Sequence, residues 1–238
     1  MIDTLSNRRI VTAEIMDSPG IAEADHVQAL AGLRRINQVS GTAKHMAAPI
    51  VAMARRDGLS RLSMLDFACG GGDVPIGIVR AAAQHGIQID LTLLDRSPTA
   101  VKQATDAAAL AGIAAKGIIA DALAELPKLD VDVVSNSLFL HHLLEADQVT
   151  GLLRHMRQTA RRMVVISDLR RSRVGYAVAW GMCRILSRSK IVHYDGPVSV
   201  RAAWTSAELA DCAAKAGMDG VQVSNCRPWR MMLVWGAS

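Results

Sequence analysis

From Arg61 onward, short apolar runs alternate with alanine-rich stretches of helical spacing, and this alternation constrains the fold more than any other feature of the chain. Runs at Ser63–Phe67, Ile89–Leu94, Gly117–Ala120, Val131–Ser135 and Met163–Ser167 read as strands, with helices at Val74–His85, Pro98–Ala111 and Ala146–Thr159 between them. Further on, a helix at Arg173–Leu186 precedes a loop around His193–Val200. A helix follows, opened by Ser206 as N-cap and stopped by Gly217. Strands at Val221–Val223 and Met231–Val234 are close enough for an antiparallel hairpin at one sheet edge. Strands alternating with helices require crossovers, so the expectation is an α/β fold: a Rossmann-like, seven-stranded, mostly parallel sheet with helices on both faces and an antiparallel last strand.

Ahead of the sheet, Val27, Leu30, Leu33 and Ile36 share one stripe of a helix over Ile21–Val39, while Pro19-Gly20, Gly41 and Pro49 read as breaks. Residues 1–60 are therefore expected to form a helical cap and residues 61–238 the core domain. Half of the residues are apolar but only 3% aromatic, so the core must be built from Ala, Leu, Ile, Val and Met.

The net charge of +5 is dispersed over pairs such as Arg55-Arg56 and Arg161-Arg162, which reads as a solvated basic surface rather than a nucleic-acid interface. The start of the chain carries acidic residues, and no stretch approaches the roughly 18 to 20 unbroken apolar residues of a membrane span. No signal peptide and a cytoplasmic location are expected. Cys69, Cys183, Cys212 and Cys226 lie far apart, with no Cys-x-x-Cys and no histidine at ligand spacing, so neither a disulfide frame nor a metal site is expected.

The stretch LDFACGGGDVP, residues 65–75, follows the first strand, where open parallel sheets bind ligands. It lacks the Gly-Lys-Ser/Thr of a P-loop and the third glycine of a dinucleotide turn, and Asp73 puts negative charge where a pyrophosphate would lie. A ligand that is cationic near the turn and carries a ribose fits better.

These residues resemble the class I S-adenosylmethionine-dependent methyltransferases, whose first motif reads Asp-x-Gly-x-Gly-x-Gly. Here the matching positions are Asp66, Ala68, Gly70 and Gly72, with alanine in place of the first glycine and Cys69 inside the turn. The resemblance continues through LTLLDRS, where Asp95 matches the family's ribose-binding acid and Arg96 follows it. Asp121 and Ala122 match the adenine contact, and Ser135 and Asn136 match the fourth-strand end beside the methionine moiety. Four motifs in order, over about residues 61–167, imply S-adenosylmethionine as methyl donor, S-adenosylhomocysteine as product, and no metal.

Transfer to a hydroxyl needs alignment and a base, and histidine is the expected base near neutral pH. The resemblance points to His141 or His142. Related O-methyltransferases place a catalytic histidine at this distance from a fourth-strand aspartate such as Asp132, although quinone-pathway C-methyltransferases show a similar His-His-Leu without using it as a base. His193 with Asp195, in the expected loop, forms a second candidate pair, and Asp168 closes the fifth strand at the ligand edge. The apolar run from Val174 to Leu186 is either core or, with Trp180 and Trp204, the wall of an acceptor pocket. A looser resemblance to bacterial small-molecule methyltransferases, some encoded beside type III polyketide synthases, implies secondary metabolism and O-methylation of an apolar or phenolic acceptor. The alternatives are C-methylation of a quinone-like ring, a nucleic-acid methyltransferase, which the missing Asn/Asp-Pro-Pro-Tyr segment disfavours, and a non-catalytic binding protein of the same fold. Nothing in the sequence specifies an oligomeric state.

Overall fold

The computed structural model describes residues 8–17, 20–124, 129–227 and 229–237. Its centre is a seven-stranded sheet in the order β3-β2-β1-β4-β5-β7-β6. The strands are β1 (Arg61–Phe67), β2 (Gln88–Asp95), β3 (Ala115–Ile119), β4 (Val131–Ser137), β5 (Ala160–Leu169), β6 (Gln222–Arg227) and β7 (Arg230–Gly236). β1 to β5 pair in parallel, and β7 runs antiparallel to both β5 and β6. The fold class matches the sequence expectation. The central strands are nearly continuous runs of buried side chains, which is what a sheet covered on both faces requires.

One face is covered by α2 (Thr42–Arg56), α3 (Asp73–Ala83) and α4 (Pro98–Leu110), whose buried residues form one cluster with Leu62, Met64 and Leu93 of the sheet. The other face is covered by α5 (Ala146–Thr159) and α8 (Ser206–Lys215), packed on Leu65, Phe67 and Val164. A third, smaller cluster joins α1 (Glu23–Ser40), α6 (Arg173–Leu186) and α7 (Lys190–Ala202) through Ala29, Cys183 and Val192.

Local chemistry sets the helix starts. Ser97 caps α4 by accepting the Ala100 N–H, with Pro98 in the first turn, and Ser172 caps α6 by accepting the Gly175 N–H. The cap of α8 is Thr205, one residue before the expected Ser206, because Thr205 and Glu208 close a reciprocal capping box.

Two proline positions correct the sequence expectations. Pro49 lies inside α2, where an interior proline costs ~3 kcal/mol; burial of Met46, Ile50, Val51 and Met53 along the same helix offsets it. Likewise His193–Val200 is not a loop but the body of α7, with Pro197 inside the helix. Gly196 belongs there for packing rather than turning, since a Cβ at that position would overlap Cys183 Sγ of α6. The expected break at Gly41 is present as a left-handed residue between α1 and α2, while Pro19 lies outside the described residues.

Candidate active site

The strand order reverses direction at β1, with β2 on one side and β4 on the other, so a crevice opens beyond their carboxyl ends. After Phe67 the chain enters the left-handed region at Ala68 (φ 51°) and again at Gly70 (φ 52°) and Gly72 (φ 75°). The turn is stitched to the end of β2: Cys69 N–H donates to Leu94 O at 2.9 Å and Gly70 N–H to Asp95 Oδ2 at 3.0 Å. Asp95 Oδ1 accepts the Ser97 N–H at 2.9 Å. Gly72 is required for packing, as a Cβ there would stand 2.9 Å from Ala104 Cβ. Gly70 and Gly71 instead face open space, with no heavy atom within 4 Å of where a Cβ would be. The side chain of Asp73 does not cap α3; its Oδ2 accepts from Asn37 Nδ2 at 2.9 Å.

Beneath the turn, Ser135 Oγ donates to Asp66 Oδ1 at 2.5 Å, and Asn136 Nδ2 donates to Phe67 O at 2.7 Å. Asp66, Ser135 and Asn136 are all buried, and Asp66 Oδ2 and Asn136 Oδ1 accept no hydrogen bond among the described residues. Burial pushes the Asp66 carboxyl up to about 7, opposed by the Ser135 hydrogen bond and reinforced by the charges of Asp73 and Asp95. Two buried acceptors without donors, beside an open glycine turn, suit a ligand that brings an ammonium group. Asp121 follows β3 with its side chain exposed, accepting the Leu123 N–H at 2.9 Å; Ala122 is buried beside it. Arg96 is exposed at the end of β2. Burial drives the Cys69 thiol far above its usual range, which leaves it inert.

A second set of groups lies beyond β4 and β5. Leu138 takes a left-handed conformation (φ 56°), and a short 3-10 turn at Leu140–His142 follows. His141 Nδ1 lies 2.6 Å from Asp168 Oδ1, and Asp168 also accepts N–H bonds from Phe139, Leu140 and Leu169. Burial by itself would raise the Asp168 carboxyl; the charge and hydrogen bond of His141, with the Leu169 N–H, outweigh it and hold the group below its ordinary value. An ionised carboxylate only accepts, so Nδ1 carries the proton that faces Asp168, which leaves Nε2 as the nitrogen that can exchange a proton with another group.

His141 lines a cavity of about 150 Å³, walled by Leu33, Ile36, Leu138, Ala179, Met182 and Val192, with Glu14, Asn37, His142, Asp195, Ser199 and Arg230 as its other polar members. Such a volume accommodates roughly one benzene ring. Glu14 is delivered by the N-terminal segment, which straps across α7 and the turn after β4. Arg9 donates to the carbonyls of Ala202, Leu144, His141 and Leu143 at 2.5–3.0 Å, and Asp195 accepts the N–H groups of Ile15 and Met16. Glu14 Oε1 lies 3.8 Å from His141 Nε2 and accepts from Ser199 Oγ. Ligand-type atoms of Glu14, His141 and His142 come within 4.8 Å of one another.

Of the other expected site residues, Asp195 lines this cavity and His193 does not. His193 and Asp195 point away from each other on α7: His193 Nε2 bonds Ser187 O at 2.8 Å, whereas Asp195 holds the N-terminal segment. Residues two apart on a helix are about 200° apart, so the pair foreseen for a loop cannot form. Trp180 is half-exposed with Arg184 stacked on it at 3.9 Å, so α6 presents Ala179, Met182 and Cys183 to the cavity instead. Trp204 is also outside the cavity wall, its indole N–H donating to Leu140 O at 2.9 Å. Glu14, Arg9 and Arg230 were not foreseen. Only Arg230 left a local signal, a charge set between Trp229 and Met231 at the start of a buried strand.

Residues 64–162 match the family model described as a methyltransferase domain. No curated protein matches the chain. Among solved structures, the plantazolicin methyltransferase BpumL, bound to a desmethylplantazolicin analogue and S-adenosylhomocysteine, shares 13% identity at a TM-score of 0.67, covering 90% of each chain. Magnesium protoporphyrin IX methyltransferase from Synechocystis PCC 6803, with bound S-adenosylhomocysteine, shares 17% identity at a TM-score of 0.56, covering 94% of this chain and 91% of that one. The S-adenosylmethionine-dependent methyltransferase SibL shares 17% identity at a TM-score of 0.64, covering 95% of this chain and 63% of that one.

Proposed function

We propose that this chain, a class I S-adenosylmethionine-dependent methyltransferase by its domain match and its fold, methylates an oxygen of a small, single-ring, apolar or phenolic acceptor. The observation that carries this reading is the buried His141–Asp168 pair, 2.6 Å apart, set on an apolar cavity of about 150 Å³. Bound S-adenosylmethionine supplies an electrophilic methyl group on a sulfonium.

In the donor half, Asp66 Oδ2 and Asn136 Oδ1 are free to take hydrogen bonds from an ammonium group. Asp95, which orders the turn through Gly70, retains lone pairs for a ribose diol, and Asp121 and Ala122 flank the place for adenine. In the acceptor half, the apolar walls exclude water and hold the ring. His141 Nε2 takes the proton of the acceptor hydroxyl as its oxygen bonds to the methyl carbon and the carbon–sulfur bond breaks. Asp168 fixes the tautomer and stabilises the imidazolium that results. His142, with its ring centroid 4.3 Å from that of His141, buttresses the base.

Titrating turnover against a panel of single-ring phenols tests this. His141→Gln is expected to lower kcat by about 10²–10⁴ with S-adenosylhomocysteine affinity unchanged, and His142→Gln to cost less than about tenfold. Undiminished turnover in His141→Gln would remove the base. The same nitrogen could instead serve a metal held by Glu14, His141 and His142. We expect activity to survive exhaustive chelation, and loss that divalent zinc restores would reassign the three side chains as ligands. Methyl found on ring carbon in the product would favour C-methylation, and donor binding without transfer to any acceptor would favour a non-catalytic role.

A further inference from the structure

Arg230, the first residue of β7, is 2% exposed and lines the acceptor cavity. Its Nη2 donates to Asn37 Oδ1 at 2.6 Å, while Nε and Nη1 have no partner among the described residues. A buried guanidinium usually has its donors filled by carboxylates or carbonyls, because its desolvation is otherwise uncompensated. Here the nearby acids are committed elsewhere. Asp168 is saturated by three backbone N–H groups and His141, Asp73 Oδ2 accepts from Asn37, both Asp195 oxygens hold the N-terminal segment, and Glu14, which lines the same cavity, accepts from Ser199 Oγ beside His141. Burial lowers the Arg230 guanidinium to about 10 against the raising influence of Asp168, Cys226 and Asp73, so the group stays charged at neutral pH.

We infer that Arg230 is an anion-binding residue of the acceptor site, and that the acceptor is an aromatic hydroxy acid whose carboxylate pairs with Arg230 while its hydroxyl faces His141. This rests on the acceptor-site reading above and narrows it to a substrate class. An apolar cavity the size of one ring, with a base and an unfilled cation on its wall, is complementary to a ring carrying both a hydroxyl and a carboxylate. The acceptor side is assigned rather than the donor because Arg230 opens into the cavity with His141, whose lining includes neither Asp66, Asp95 nor the glycine turn. Asn37 joins the two halves, since it accepts from Arg230 and donates to Asp73 at the turn.

Binding calorimetry on the full chain saturated with S-adenosylhomocysteine, using 2-hydroxybenzoate and its neutral isostere 2-hydroxybenzamide, tests the inference without requiring turnover. The wild type is expected to bind the carboxylate at least tenfold more tightly than the amide. Arg230→Met should erase that preference, Arg230→Lys should keep part of it, and S-adenosylhomocysteine affinity should change less than threefold in both. Equal binding of the two probes by the wild type, or binding of neither, overturns the proposal, as does a preference that survives Arg230→Met. Loss of S-adenosylhomocysteine binding in a folded Arg230→Met protein would transfer the residue to the donor carboxylate and also overturn it. Should Arg230→Met fail to fold, the wild-type preference and the Lys variant still decide. A protein that shows the preference yet methylates no phenol would leave the anion site standing and sink only the catalytic reading.

Discussion

On the proposed reading of the donor site, Asp66 ties protein stability to donor binding through a single proton. An unfolded aspartate titrates near 4, whereas burial raises Asp66 to about 7 in the fold. Between those values the folded state holds more protons than the unfolded one, so stability falls as pH rises through the interval and levels off above it. An ammonium beside Oδ2 favours the ionised form. The melting temperature of the ligand-free protein should therefore carry a downward component from pH 4 to 7 that is absent in Asp66→Asn, and S-adenosylhomocysteine should stabilise the wild type more at pH 8 than at pH 5. An unaltered pH profile in Asp66→Asn would assign the effect to another group. Ala68 shows a smaller residue-scale tension. At φ 51° it stands in a region that disfavours a Cβ by roughly 1–2 kcal/mol, a cost that a glycine there would not carry.

Among the elements, the N-terminal strap does most to complete the proposed acceptor site. The guanidinium of Arg9 donates to four carbonyls, two of them (His141 and Leu143) beside the proposed base, and stacks on Trp204 at 4.0 Å. A hydrogen bond to a charged group contributes about 1.5–3 kcal/mol. Arg9→Ala should loosen the strap enough to raise the acceptor KM about tenfold or more while leaving S-adenosylhomocysteine affinity unchanged, and should speed proteolysis within residues 8–17. An unchanged KM would mean that the strap is only a brace. The strap was not legible in the sequence, because its contacts are all to distant segments and its own composition shows no periodicity. The helical character of α7 was hidden for a different reason: Gly196-Pro197 is a turn signal locally, and only the close approach to Cys183 and burial of Val192, Val198 and Val200 make it helix. The strands were easier. Each run of β-branched and aliphatic residues marked a strand, with ends that the structure moves by up to four residues: Ser63–Phe67 grows to Arg61–Phe67, and Val221–Val223 becomes Gln222–Arg227.

At the scale of the whole molecule, the division foreseen at residue 60 does not follow the packing. Met46 and Ile50 of α2 are fully buried in the same cluster as Leu62 and Met64 of β1, so α2 behaves as part of the core. We expect Met46→Ala to destabilise the protein by about 2–5 kcal/mol in chemical denaturation, as much as an equivalent truncation in the sheet, and removal of residues 1–56 to prevent folding. A small effect of Met46→Ala would restore the picture of a detachable cap. Legibility follows the same geography. The proposed donor site is written contiguously, from Asp66 through Asp95 and Asp121 to Asn136, at strand ends whose order the periodicity reveals. The proposed acceptor site gathers Glu14, Leu33, Leu138, His141, Ala179, Val192 and Arg230 from segments that meet only in three dimensions. On the proposed reading, that split makes the scaffold modular: variation confined to the strap, the turn after β4, the α6–α7 pair and the start of β7 would retarget the acceptor while the donor half is kept intact, so products would diverge before the chemistry did.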